Sequence, residues 1–177
     1  MTRTVTVNRA PVLTLWGSVV AERLGHDTEA ALTLGKALAG LNAQAKGRRL
    51  GIFKERKAED GKEAKRRGLG EEFWVEICGR PIPAKQTEEG VRAVVRDEAI
   101  DPQKVLAYLH RAFGEELIEV RASMGELAKA LDPDELRERA YALYEEFRPQ
   151  IARGRSGWGQ KGTLDLEAIR RMARASD

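Results

Sequence analysis

The side chains in this sequence best suited to chemistry with a definite partner are cationic, and they are concentrated. Lys46, Arg48, Arg49, Lys54, Arg56, Lys57, Lys62, Lys65, Arg66 and Arg67 form a run of ten cations, interrupted by the four acids Glu55, Glu59, Asp60 and Glu63. That stretch carries +6 while the whole chain carries +3, so everything outside it sums to −3 and the basicity belongs to one segment. Lys and Arg side chains within reach of one another neutralise phosphates and release counterions, and affinity gained in this way falls as salt rises. The same run also reads as a solvated charged loop without a partner, because charge alone does not specify binding.

A second group surrounds Trp158, which lies between Gly157 and Gly159 with Arg153, Arg155 and Lys161 close by. An indole there can stack on a base or nucleotide ring while the cations hold phosphate. It can equally pin the loop to the core, the usual use of a tryptophan's large apolar area. The stretch from Gly154 to Thr163 has the glycines and lysine of a phosphate-cradling loop. The lysine falls one position late and a helix precedes it instead of a strand, so a nucleotide-hydrolysing loop is rejected.

Other chemistries find little support. His26 and His110 are the only histidines and neither sits in a metal-ligand spacing. Cys78 is the only cysteine, which rules out an internal disulfide and fits a small core residue better than a nucleophile. Residues 101–147 hold eleven acids against six cations, yet pairs such as Glu115/Glu119 and Glu135/Arg139 have the spacing of exposed helix faces and i,i+4 partners. No catalytic residue, metal ligand set or cofactor motif stands out.

The elements that must position these groups follow from patterning. With 42% hydrophobic and 33% charged residues in 177, the chain has enough apolar material for one core and too much charge for a membrane protein. No run approaches the roughly 20 apolar residues that span a bilayer, residues 1–10 lack the apolar centre of a secretory signal, and a reducing cytoplasm fits the cysteine count. Scarce Asn, Ser and Cys beside abundant Leu, Ala, Glu and Arg resemble a thermophile's composition.

Residues 2–7 read as a short β-branched strand or an ordered arm. A helix runs from Pro11 to before Gly25, with Thr14, Ser18 and Glu22 as its narrow polar stripe. Asp27 caps a second helix whose core face is Ala30, Leu34, Ala37, Leu38, Leu41 and Ala45 and whose natural stop is Gly47; its small residues allow close approach by a neighbour. Residues 20–34 also carry the glycine and small residues of a helix-turn-helix. The would-be reading face, Thr28, Glu29, Thr33 and Lys36, includes an acid that repels phosphate, which favours a plain helical hairpin.

Alternation over Phe73–Cys78, a Gly79-Arg80 turn and Pro81-Ile82-Pro83 predict a hairpin, with the prolines confining its second arm to a sheet edge; one more strand covers Val91–Arg96. Asp101-Pro102 and Asp132-Pro133 open two helices that flank a third with the stripe Leu117/Val120/Met124/Leu127/Leu131, and Asp165 caps a last one.

The reading is an α+β fold, mainly helical: an N-terminal helical pair over 1–47, a basic connector over 48–70, a small antiparallel sheet over 71–97 and a C-terminal helical bundle over 101–177, all one domain. Its first expected function is nucleic-acid binding through the basic segment. The alternatives are a protein-interaction or homo-oligomerising module, in which the acidic helical half of one copy receives the basic arm of another, and a small-ligand binder or enzyme with its site at the Trp158 loop. No cofactor and no membrane partner is expected.

Overall fold

The structure, a computed structural model, describes residues 4–49, 72–95, 98–149 and 161–176, with the side chains of all of these except 43–49, 72, 161 and 176. Strand β1 (Thr4–Asn8) turns Val5 and Val7 inward, as its alternating residues dictate. It leads directly into helix α1 (Arg9–Arg23), in which Pro11 occupies the first turn and every residue from Pro11 to Ala21 is buried. The expected stripe Thr14/Ser18/Glu22 is therefore not a solvent face: Thr14 and Ser18 are fully enclosed. Gly25, with φ of +110°, ends the helix, His26 N donating to Ala21 O and Gly25 N to Glu22 O. This paired closure needs a residue free to take positive φ.

Helix α2 (Thr28–Arg49) starts where Asp27 Oδ1 accepts the Ala30 amide at 2.8 Å. It continues through Gly47, the expected stop; glycine within a helix costs stability but ends it only where the backbone must turn left-handed. The helix lies between α1 and a sheet, so Ala30–Leu34 and Ala37–Ala39 are buried on several sides. A Cβ on Gly35 would stand 2.2 Å from Thr14 O, so the α1 and α2 backbones touch there.

The sheet has the order β2 (Glu72–Ile77), β3 (Arg80–Thr87), β4 (Gly90–Val95), β5 (Glu98–Ala99), all antiparallel. Its first turn is Cys78-Gly79, both at positive φ, the two-residue geometry that matches strand twist. Strand β3 is interior, contrary to the edge expected from its prolines. The register explains how: β4 pairs only with Ala84–Thr87, stopping short of Pro81 and Pro83, whose missing N–H groups face that side.

Helices α3 (Pro102–Phe113), α4 (Leu117–Ala130) and α5 (Pro133–Phe147) follow in close succession, α3 and α4 separated by a 3-10 turn, with Asp101 and Asp132 accepting first-turn amides as anticipated. Strand β6 (Lys161–Asp165), which the sequence reading did not separate from its loop, pairs antiparallel with β1, Asn8 opposite Lys161 and Thr4 opposite Asp165. Asp165 then caps α6 (Leu166–Ser176), which packs on α4. Trp16 stands near the centre of the core, its edge against Phe147 at 5.2 Å and its Nε1 donating to Ala140 O at 2.9 Å.

Candidate nucleic-acid interface

The basic segment leaves the described body at the end of α2 and rejoins it at β2. Lys46, Arg48 and Arg49 are on the last turns of the α2 backbone; Lys54, Arg56, Lys57, Arg66 and Arg67 lie outside the described residues. Cations at the C-terminal end of a helix complement its dipole, so a helical start to the run is locally favourable.

One turn before Lys46, Asn42 is nearly buried, and its Oδ1 accepts from both Tyr141 Oη of α5 at 2.9 Å and Arg80 of the β2–β3 hairpin at 3.2 Å. This junction holds the exit of α2, the hairpin and α5 together. The sequence marks Arg80 only as a turn residue and does not mark Tyr141, because residues 38 and 99 positions away from Asn42 leave no periodic trace.

The described body neutralises many of its own cations. Arg92 pairs with Glu29 at 3.2 Å, Arg137 with Asp134 at 3.0 Å, Arg139 with Glu135 at 3.2 Å and Arg174 with Glu167 at 2.9 Å, while Arg121 meets Glu22. Arg170 and Arg171 stand at 4.0 and 3.9 Å from Glu126 and Asp165. Arg23 instead donates to the carbonyls of Ala128 and Leu131 near the end of α4.

The would-be reading face of α2 is occupied from within. Thr33 is buried and accepts the Ala93 amide at 2.9 Å, Lys36 lies 3.9 Å from the centre of the Tyr108 ring, and Glu29 is taken by Arg92. A helix covered by a sheet and by α3 cannot enter a groove of DNA, so α1 and α2 form a helical hairpin and not a helix-turn-helix reader.

Of the second cationic group, Arg153, Arg155 and Trp158 lie outside the described residues, and Lys161 opens β6. The two ends of that loop are fixed beside each other: Lys161 is opposite Asn8, and Arg9 Nε donates to Pro149 O at 3.0 Å. Tyr144 Oη donates to Arg9 O at 3.4 Å. Burial, then the adjacent Arg148, push the Arg9 guanidinium below the ordinary arginine range, and the Tyr144 hydroxyl acts the other way.

Cys78 is buried in the hairpin turn, and burial pushes its thiol up to about 12. A thiol so protonated is a poor nucleophile. We expect native protein to react with a thiol reagent at neutral pH far more slowly than unfolded protein, read as absorbance against time; equal rates would show the turn to be open.

Among the described residues, no group of three or more His, Cys, Asp or Glu side chains is placed to hold a metal ion, and no helix is long and apolar enough to cross a membrane. No family model matches the chain, and no curated protein or solved structure matches it either.

Proposed function

We propose that this protein binds nucleic acid through Lys46–Arg67, with phosphate contacts supplying most of the affinity and little selection of sequence. The observation that carries this reading is a contrast of charge. Ten cations face four acids within that segment, whereas seven arginines of the described body stand within 4.0 Å of a carboxylate. Ten cations cannot all be neutralised by four acids of their own segment, and each phosphate that such a cation neutralises adds close to one to the salt slope.

The test is a salt series of mobility shifts with duplex DNA and with RNA, in the presence and absence of heparin. Replacing Arg48, Arg49, Arg66 and Arg67 with alanine is expected to weaken binding similarly for all sequences and to flatten the slope of log K against log salt by about three to four. Binding that heparin removes as readily as nucleic acid does would reduce the reading to nonspecific polyanion attraction. A salt-sensitive dimer without affinity for either nucleic acid would favour the oligomerising alternative, with the basic run serving the acidic half of a second copy.

A further inference from the structure

Ile118, on the first turn of α4, is the most exposed large apolar side chain among the described residues, at 82%. A lone exposed isoleucine needs no explanation. This one, however, borders a groove of about 780 Å³ between α1 and α4. Ala122 and Gly125 follow it along α4 at the spacing that keeps residues on one helix face, and Val19 of α1 adds an apolar wall. A Cβ at Gly125 would meet nothing within 4 Å, so the groove is open where an incoming side chain would rest.

Most of the charges lining the groove are satisfied from within the molecule. Glu22 accepts from Arg121 and from Thr28, Arg23 donates to the carbonyls of Ala128 and Leu131, and Glu126 stands 4.0 Å from Arg170. Between these pairs lies a floor of small residues suited to an aliphatic side chain and not to an ion. Lys129, at the far end of the groove, and Glu115, one turn before Ile118, are exposed and have no ion partner among the described residues.

We propose that two copies of this chain pair through antiparallel α4 helices about a two-fold axis, Ile118 of each seating over Ala122 and Gly125 of the other. Knob and groove lie on the same helix, so the surface is complementary to itself, as a two-fold contact requires. A parallel arrangement would set Ile118 against Ile118 and Lys129 against Lys129. The antiparallel one lets both isoleucines enter at once and brings Lys129 of each copy to Glu115 of the other, because Glu115 precedes Ile118 by about as far as Lys129 follows Gly125. Opposite charges then meet at both ends of an apolar centre, which fixes register and orientation. The contact is short, so association in the micromolar range is expected. The pairing makes no use of Lys46–Arg67 and stands whether or not the protein binds nucleic acid.

The experiment is sedimentation velocity over a concentration series reaching the high micromolar range, with thermal melts showing that each variant is folded. Wild type should shift from monomer to dimer as concentration rises, and I118E should stay monomeric with an unchanged melting temperature, since the side chain is 82% exposed. K129E should weaken the dimer about three- to tenfold, and E115K/K129E should restore most of that loss. In A122C, the new thiols lie beside the two-fold axis and a short bismaleimide should link them into a dimer. Wild type, with only the buried Cys78, serves as the control.

A wild type that is monomeric throughout overturns the proposal, as does folded I118E that still dimerises. Failure of E115K/K129E to recover over K129E overturns the antiparallel pairing. A dimer kept by I118E but lost when Arg48, Arg49, Arg66 and Arg67 become alanine belongs to the basic run and overturns it too.

Discussion

Gly35→Ala is expected to destabilise the protein by about 3 kcal/mol or more, measured as the shift in free energy of unfolding by denaturant. The added Cβ would stand 2.2 Å from Thr14 O, 2.8 Å from Ser18 N and 3.2 Å from Thr14 C, all backbone atoms of α1. A side chain can rotate away from a clash, whereas backbone inside a helix cannot without moving the helix. Relief would therefore separate α1 from α2, and these two helices hold much of the core. Gly40→Ala, in the same helix with nothing within 4 Å of its Cβ, serves as the control. It should stabilise by about 0.5–1 kcal/mol, because alanine is the better helix former. Equal effects at the two positions would mean that the helices do not approach this closely.

The second large effect is expected at Trp16. The indole is completely enclosed, stands edge-on to Phe147 with ring centres 5.2 Å apart, and donates through Nε1 to Ala140 O at 2.9 Å. Trp16→Ala should cost about 3–5 kcal/mol through lost burial and the cavity left behind. Trp16→Phe should cost about 1–3 kcal/mol, since a smaller ring fills part of the space while the Nε1–H donor is lost. Denaturant unfolding followed by far-ultraviolet circular dichroism separates the two without relying on tryptophan fluorescence. A Trp16→Ala cost below that of Trp16→Phe would contradict central placement of this side chain.

These two sites show where sequence reading succeeds and where it stops. Helix starts were legible because capping is local: Asp27, Asp101, Asp132 and Asp165 each accept an amide two or three residues on. The β2–β3 hairpin was legible from alternation and turn residues within ten positions. The many small residues of α2 correctly signalled close packing, but the stripe Thr14/Ser18 was misread as a polar face. Its burial depends on Gly35 from another helix, which period alone does not reveal. The placement of β3 inside the sheet also escaped, because a proline's effect depends on which side its neighbour pairs.

The candidate site was legible only as charge. The residue types and the excess of cations in Lys46–Arg67 are properties of the chain itself, as are the mainly helical α+β class, the helix caps and the single unpaired cysteine. Local hydrogen bonding and hydrophobic period act over a few residues, so the sequence states them openly. Tertiary structure alone decided that α2 is closed to a DNA groove, that Asn42, Arg80 and Tyr141 meet, and that β1 pairs with β6. Each of those joins residues tens to more than a hundred positions apart, and only burial of a shared core, which brings distant segments together at once, supplies the free energy to hold them there.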